Sequence, residues 1–345
     1  MIFNVLLYAA LIIFSLGMIY KVSTWFSRKV GICADQITTA ERVSAAAKGV
    51  GGTIFSPKIG ILIKVFILDV LLQRRILKED ALRWVMHMLI YGGFMLLLLM
   101  HALDALITES LFDEYYSTLN PFFFLRDFFG LWVVVGLAIA VYRRLALKVP
   151  RLTTNPMDRY AILILAVVMS SGLLLEGVKI SSYSAFQAMQ EDYAGLEEEE
   201  EIQALESYWV TYYGVVSPTI KGPVDQEILD QGKELHEMSC AECHSASQWA
   251  FAGYTTARAI SPIASMLDKI GSATIIWYIH ILACFFGLAY LPFSKMFHMF
   301  ASQVSLLTNA VMDKDTADPA NIATRQMLEL DACTHCGTCS ERCSV

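Results

Sequence analysis

The chain has 345 residues, of which 56% are hydrophobic and 17% are charged, and its formal net charge is −7. This composition is typical of an integral membrane protein and excludes one large soluble domain. Much of the negative charge lies in the glutamate run at residues 197–201, so the charge balance gives no support for nucleic-acid binding.

Five apolar stretches are long enough to cross a bilayer as helices. The first lacks a basic leader and a cleavage site, so it is predicted to be an uncleaved anchor. A further apolar stretch, residues 59–77, carries four charged side chains and is predicted to lie in the membrane interface, with a sixth span as the alternative. The spans are predicted at residues 2–26, 82–107, 122–141, 160–180 and 272–293, the last continuing as helix to about residue 300.

Basic residues predict the orientation of these spans, because Lys and Arg are retained in cytoplasmic loops. They cluster after helix 1, before helix 2 and between helices 3 and 4, whereas the loops at 108–120 and 179–271 are acid-rich. We therefore expect a multi-pass protein of a bacterial or archaeal cytoplasmic membrane, with its N-terminus outside and its C-terminus in the cytoplasm. The predicted segments are transmembrane helix 1 at 1–26, a cytoplasmic loop with an interfacial helix at 27–80, transmembrane helices 2–4 at 81–180, a periplasmic segment at 181–270, transmembrane helix 5 at 271–300 and a cytoplasmic segment at 301–345.

A C-x-x-C-H motif, the attachment site of haem c, falls in the predicted outer loop at Cys240, Cys243 and His244. The two thiols would bond the porphyrin vinyl groups, and the histidine would be the proximal iron ligand. A zinc site or a vicinal disulfide is the alternative, but no second ligand pair supports zinc. Residues close to the attachment site reach the opposite haem face with difficulty, so Met266 is favoured as sixth ligand over His236 and Met238.

A second cysteine motif lies at the C-terminus and has the ligand spacing of a 4Fe-4S cluster. In two-cluster ferredoxins the fourth cysteine of such a run binds the other cluster, and here the expected second run is missing. Either the last cysteine closes this one cluster, or the chain is truncated, or another subunit completes the site. We favour truncation or completion by another subunit. The four cysteines are Cys333, Cys336, Cys339 and Cys343.

Four histidines lie in or beside the predicted membrane helices, where an ionisable side chain is costly and marks a functional candidate. Their spacings place His87 and His101 about 21 Å apart on helix 2, and His280 and His298 about 27 Å apart on one face of a continuous helix 5. Because helices 2 and 5 run antiparallel, His87 pairs with His298 and His101 with His280. Each pair is predicted to hold one haem b iron. The alternative is that the histidines are structural and hydrogen-bond to a neighbouring backbone group or a lipid headgroup.

The membrane part resembles the gamma-subunit cytochrome b of respiratory nitrate reductase. The resemblance rests on five spans, the four histidines and the segments 71–75, 83–87 and 293–298. The cysteine-rich tail is more similar to membrane subunits of heterodisulfide-reductase-like menaquinol-oxidising complexes. Together these resemblances, which cover residues 1–180 and 271–345, imply an all-α integral membrane protein. Its fold would be a five-helix cytochrome b bundle with a small C-terminal ferredoxin-like iron–sulfur segment. The periplasmic haem c insertion departs from the family pattern and is predicted from its motif alone.

The resemblance also implies that quinol is oxidised near the outer haem. The residues that would serve such a site here are Asp104, Glu176 and Lys179, with Arg126 and Asp127 nearby. A carboxylate among them could accept the quinol proton. The alternative is that Arg126 pairs with Asp127 or a haem propionate, and that Lys179 only extends to the interface.

The leading hypothesis is a cytochrome b subunit that oxidises menaquinol near the outer face. Electrons would pass through two haems b to the 4Fe-4S cluster and a cytoplasmic iron–sulfur subunit of heterodisulfide-reductase type. The haem c would be a second electron port, which could meet periplasmic multihaem cytochromes c. The alternatives are an electron wire without a quinone site and a mainly structural anchor.

Overall fold

A computed structural model describes residues 2–30, 36–112, 115–149, 154–313, 315–337 and 339, and within these ranges the chain is helical with no strand. Cys343 and Cys33 lie outside the described residues. The helices are α1 (Ile2–Ser27), α2 (Thr39–Ile54), α3 (Ile59–Val65), α4 (Arg74–Glu79), α5 (Ala81–Leu97), α6 (Glu109–Leu111), α7 (Phe122–Leu145), α8 (Pro156–Ser181), α9 (Tyr183–Met189), α10 (Glu199–Tyr212), α11 (Gln226–Ser239), α12 (Phe251–Ile260), α13 (Ala264–Lys269), α14 (Ser272–Tyr290), α15 (His298–Val311) and α16 (Pro319–Ala332).

All five predicted spans are confirmed as helices long and apolar enough to cross a membrane, and they indicate a multi-pass membrane protein. The second span continues α5 through a π-helical turn, Leu98–Ala102, and a second π-helical segment follows at Asp104–Thr108. The stretch at 59–77 is not among the candidate spans. It forms α3, a π-helical segment and the start of α4, so its predicted position in the membrane interface stays a prediction.

The prediction that the fifth span continues as one helix to about residue 300 is wrong. Helix α14 ends at Tyr290, two short 3₁₀ segments follow, and α15 begins at His298. Pro292 has no N–H to donate and its ring obstructs the preceding turn, and Ser294 is fully extended (φ −109°, ψ 174°). His280 and His298 therefore lie on different helices.

The chain divides into two compact units, the first of which combines residues 1–88, 139–165 and 284–345. Here α16 packs against α1, α2 and α15 around a core of Trp25, Phe297, Ala301, Met327 and Leu328. Arg42 is only 1% exposed and ties these helices together. Its guanidinium donates to the carbonyl oxygens of Trp25 (2.7 Å) and Arg28 (2.6 Å) and to Thr324 Oγ1 (3.1 Å).

The second unit combines residues 89–138 and 166–283. Its largest core joins α10 and α11, and Gly232 allows the closest approach, since a Cβ there would collide with the carbonyl oxygen of Ala204. The buried Glu206 accepts hydrogen bonds from Ser217 and Thr219 and so closes the turn between these two helices. The core side chains are Phe186, Ala204, Leu205, Trp209, Tyr213, Val215, Leu235 and Cys240.

Arg42→Met tests how α2 is attached to α1 and α16. The substitution leaves two carbonyl oxygens and one hydroxyl without their buried donor, so we expect a loss of roughly 3 kcal/mol in the stability of this unit. Lys48→Met, at an exposed position of the same helix, is the control and is expected to change stability by less than about 0.5 kcal/mol. Protease resistance of the detergent-solubilised chain measures both, and equal resistance of the two variants would contradict the role given to Arg42.

Candidate functional site

The first unit brings together one of the two predicted histidine pairs. His87 lies on α5 and His298 begins α15, and their ring centroids are 6.3 Å apart with the ring planes inclined at 64°. The break at Pro292 makes this meeting possible, because it starts a new helix at His298. We call this the inner pair, after its predicted depth.

The second unit brings together the other predicted pair. His101 lies in the π-helical turn that follows α5, and His280 lies on α14, with ring centroids 6.4 Å apart and planes inclined at 46°. π-Helical turns are rare and often occur at functional sites. Gly172 of α8 faces this pair, and a Cβ there would lie 3.2 Å from His280 Cε1. We call this the outer pair.

The two ring separations agree with the geometry of a shared metal. Because a metal–imidazole bond is about 2 Å long and the ring centre lies about 1.1 Å beyond the nitrogen, two rings on one iron have centres about 6.2 Å apart. The histidine pairs thus fit bis-histidine ligation of two haem irons.

Hydrogen bonds hold Nδ1 in three of the four imidazoles. The Nδ1–H of His87 donates to Gln73 Oε1 (2.7 Å), that of His298 to the carbonyl oxygen of Lys295 (2.6 Å), and that of His280 to the carbonyl oxygen of Val168 (3.1 Å). This arrangement selects the tautomer whose lone pair is on Nε2 and fixes the ring orientation, as in most metal-binding histidines. These three rings therefore have Nε2 available to bind a metal.

Gln73 is a residue that the sequence did not single out as part of the site. It is 7% exposed and has a left-handed backbone (φ 50°), which is unfavourable for a residue with a side chain. Such strain is retained where the surroundings demand a particular side-chain position. The available signal was its place within the segment 71–75, which carried the family resemblance but gave it no role.

A cavity of about 580 Å³ is lined by residues that follow His101 in the chain. Asp104 lines it and follows His101 by three residues, and Tyr115, which also lines it, donates its hydroxyl to the carbonyl oxygen of Met100 (2.6 Å). The cavity combines two carboxylates with aromatic side chains, which suits an aromatic molecule with polar groups at its ends. Its lining residues are Asp104, Glu109, Phe112, Tyr115, Tyr116 and Ser117.

The other predicted site residues occupy different places. Glu176 pairs with Arg126, which also donates to the carbonyl oxygen of Ser117, and Lys179 is exposed near the end of α8. Of the three residues predicted to serve a quinol site, only Asp104 therefore lines the cavity. Arg126 links Glu176 to the segment that forms one side of it.

Asp127 does not pair with Arg126 in the way the sequence alternative proposed. Its Oδ2 accepts the backbone N–H groups of Ala252 (2.6 Å) and Gly253 (3.1 Å) at the start of α12, so it caps that helix. Gly253 also lets α8 approach, since a Cβ there would lie 2.5 Å from Glu176 Oε2. Asp127 and Glu176 together anchor the segment that follows the C-x-x-C-H motif.

The C-x-x-C-H motif forms a tight turn after α11. The backbone N–H of Cys240 donates to the carbonyl oxygen of His236, and that of His244 to the carbonyl oxygen of Cys240. Cys240 is 4% exposed in the core of the α10–α11 pair, and burial raises the pKa of its thiol to about 11. Burial also lowers the pKa of His244 and keeps its imidazole neutral, which is the form that binds a metal.

Two polar atoms near this turn are buried without a hydrogen-bond partner, Trp209 Nε1 and His236 Nδ1. The Trp209 ring lies edge-on to His244 with centroids 5.4 Å apart. Buried donors are normally satisfied, so such atoms indicate that a polar group belongs there. Two thiols, an imidazole and these atoms fit a covalently attached haem.

The candidates for the sixth haem c ligand differ sharply in exposure. Met266, on α13, is 57% exposed and Met238 is 78% exposed, whereas His236 is 4% exposed and its Nε2 lies 2.7 Å from the Tyr213 hydroxyl. Burial lowers the pKa of His236 to about 4. The choice of Met266 stays a prediction.

The cysteine-rich tail begins where α16 ends, at Cys333. His335 (φ 52°) and Gly337 (φ 73°) both adopt the left-handed conformation and curl the chain around Cys336, which suits a loop that wraps a cluster. Within the described ranges, no three His, Cys, Asp or Glu side chains gather closely enough to hold a single metal ion. Cys343, the predicted fourth ligand, lies outside those ranges.

Comparison with known proteins supports the heterodisulfide-reductase part of the resemblance. The model of the HdrE family, from dihydromethanophenazine:CoB–CoM heterodisulfide reductase, matches residues 63–198, which include His87 and His101. The HdrE proteins of Methanosarcina thermophila and Methanosarcina barkeri are 33% identical over 130 residues and 34% identical over 127 residues. Each match covers 34% of this chain and 47% of the relative, so the chain spans about half the length of these curated relatives.

A longer and weaker match extends over most of the chain. The EtfAB:quinone oxidoreductase of Syntrophomonas wolfei subsp. wolfei is 20% identical over 290 residues, which are 79% of this chain and 33% of that protein. No solved structure matches significantly. The relatives are thus named as oxidoreductases or their subunits, and the chain is similar to a heterodisulfide reductase membrane subunit.

Proposed function

We propose that this chain is the membrane cytochrome b subunit of a respiratory oxidoreductase complex, and that it oxidises menaquinol near the outer histidine pair. The observation that carries the proposal is the distance between the two rings within each histidine pair. The ring centroids are 6.3 Å apart in the inner pair and 6.4 Å apart in the outer pair. The similarity to the HdrE family of heterodisulfide reductase supports an electron-transferring oxidoreductase subunit. The quinone named for the Syntrophomonas relative supports a quinone as the membrane substrate.

His87 and His298 would hold one haem b, and His101 and His280 the other. When bound, these groups supply one-electron redox centres inside the membrane. The chain's own contribution is to fix the tautomer and the orientation of three of these imidazoles through the Nδ1 hydrogen bonds to Gln73, Lys295 and Val168.

The cavity of about 580 Å³ is the proposed quinol site. Oxidation of one quinol to the quinone releases two electrons and two protons, so the site needs a proton acceptor close to the substrate hydroxyl. Asp104 lines the cavity and is the proposed general base. Glu176 and Lys179 contribute indirectly, the first by holding Arg126 against the loop at Ser117.

The proposed haem c would sit close to this cavity. Thr118 Oγ1 donates to the carbonyl oxygen of Cys243. The backbone N–H of Ser245 donates to the carbonyl oxygen of Thr118, and the backbone N–H of Asn120 donates to Ser245 Oγ. These three hydrogen bonds join the C-x-x-C-H turn to the loop that follows Ser117. The second electron port is therefore proposed to open next to the quinol site.

The remaining assignments complete the proposal. The N-terminus lies outside and the C-terminus in the cytoplasm, where Cys333, Cys336, Cys339 and Cys343 bind a 4Fe-4S cluster. A cytoplasmic iron–sulfur subunit of heterodisulfide-reductase type accepts electrons there, and periplasmic multihaem cytochromes c meet the haem c. The basic loops between the spans support this orientation.

Asp104→Asn tests the quinol site. Loss of the general base is expected to slow the reduction of haem b by a menaquinol analogue roughly a hundredfold, since an amide cannot accept the substrate proton. Glu109→Gln, a matched change in the same cavity, is expected to slow it less than about threefold. Anaerobic stopped-flow absorption at the haem b band measures the rate. If both variants reduce at the unmodified rate, quinol is not oxidised in this cavity.

Gln73→Met tests whether the hydrogen bond from His87 to Gln73 helps the inner pair to bind haem. Methionine is similar in size but cannot accept the Nδ1–H of His87, so haem affinity at this pair is expected to fall 10- to 100-fold. Gln73→Glu keeps an acceptor, retains the haem and lowers its midpoint potential, because a carboxylate makes the imidazole a stronger donor. Redox titration of the two haems resolves the effect, with the outer pair as internal control. An equal change at both haems would contradict the assignment.

A further inference from the structure

A single carboxylate joins the end of α16 to α1. Asp331 precedes Cys333 by two residues and accepts a hydrogen bond on each of its oxygens. Lys21 Nζ lies 2.8 Å from Oδ1, and Trp25 Nε1 lies 2.8 Å from Oδ2. The side chains of Lys21 and Asp331 are only 26% and 18% exposed, so this is a shielded ion pair in which both carboxylate oxygens are satisfied.

The same two donors contact the residue beside a ligand of the inner pair. The rings of Trp25 and Phe297 have centroids 6.0 Å apart, and Lys21 Nζ lies 5.1 Å from the centroid of the Phe297 ring. Phe297 is 2% exposed and directly precedes His298. A continuous series of contacts therefore leads from His298 through Phe297 and α1 to Asp331.

The start of the cysteine run lies against this cluster. Cys333 lines a cavity of about 200 Å³ together with Lys21, Lys295 and Phe297, and it is the first of the proposed cluster ligands. Ser302 of α15 donates to the carbonyl oxygen of Ala332 (3.2 Å), which fixes the last helical residue from a second direction. Lys295, whose carbonyl oxygen holds His298, thus borders the same cavity as Cys333.

We propose that Asp331 is the positioning residue that holds the iron–sulfur segment beside the inner histidine pair. It fixes where the cluster-binding loop begins relative to His298, so the separation between the two proposed redox centres is set by α1 and not by a mobile linker. Electron transfer between centres weakens steeply with distance, and a fixed short separation is therefore a functional requirement. The inference rests on the proposed cofactors but not on the quinol site.

Asp331→Asn and Glu329→Gln are a matched pair for the test. Each removes one negative charge from α16 without changing the side-chain shape, but Glu329 is bonded to Arg325 and Asn309 and not to α1. In Asp331→Asn one of the two α1 donors faces an amide N–H. Losing one charge-assisted hydrogen bond raises the undocked population roughly tenfold.

Two measurements on the full chain separate positioning from general stability. Hydrogen exchange of the Leu330–Cys333 amides is expected to accelerate roughly tenfold in Asp331→Asn and to stay unchanged in Glu329→Gln. The rate at which a photoreduced cluster passes its electron to the oxidised inner haem, followed at the haem b absorption band after a light pulse, is expected to fall only in Asp331→Asn. Haem b content and the potential of the inner haem are expected to remain unchanged in both.

A charge exchange provides the rescue. Lys21→Glu combined with Asp331→Lys restores an ion pair of opposite polarity and is expected to recover most of the rate of electron transfer to the inner haem, whereas either single change does not. If the rate of electron transfer to the inner haem and the amide exchange in Asp331→Asn match those of the unmodified protein, the positioning role is wrong. A missing cluster signal in the unmodified protein would refute the iron–sulfur terminus itself. Failure of quinol to reduce the haems leaves this test unaffected, since light supplies the electrons.

Discussion

An imidazole placed among apolar helices needs a nearby hydrogen-bond partner or a bound ligand to offset the free-energy cost of its burial. In this protein three of the four rings have such a partner, because Nδ1 is held by an amide or a backbone carbonyl. The ring centroids within the two pairs are 6.3 and 6.4 Å apart, a separation that fits two imidazoles on one metal ion. Two irregularities of the backbone lie at these pairs: the left-handed Gln73, whose side chain accepts from His87, and the π-helical turn that contains His101.

The break after α14 shows how this constraint shapes the backbone. A straight continuation of the fifth span would have kept His298 on the helix that carries His280. The break at Pro292 and the extended Ser294 instead start a new helix at His298, and the Lys295 carbonyl in the break becomes the acceptor for its Nδ1–H. The same irregular segment also contributes Phe297, which joins the inner pair to α1 and the C-terminal segment. The irregular backbone here serves two contacts that a regular helix cannot provide.

Much of this arrangement was predictable from the sequence. The remainder was not predictable, and the reasons can be identified. Hydropathy predicted all five spans because burial in lipid imposes long apolar runs, and the depth of the histidines predicted which would meet. Gln73 and Asp331 carry no pattern of their own, because their roles depend on partners that are distant in sequence or on an unusual φ. Glu176 was assigned to the quinol site from the family resemblance and its place near an outer helix end, and neither can reveal that it pairs with Arg126.

The most direct test of the account is the number of haems of each type in the purified protein. Pyridine haemochrome analysis against protein concentration is expected to give two haems b and one haem c per chain. One haem b should disappear when His87 and His298 are both replaced by alanine, and the other when His101 and His280 are replaced. A protein that carries no haem b, or that retains two after either pair is removed, would contradict the account.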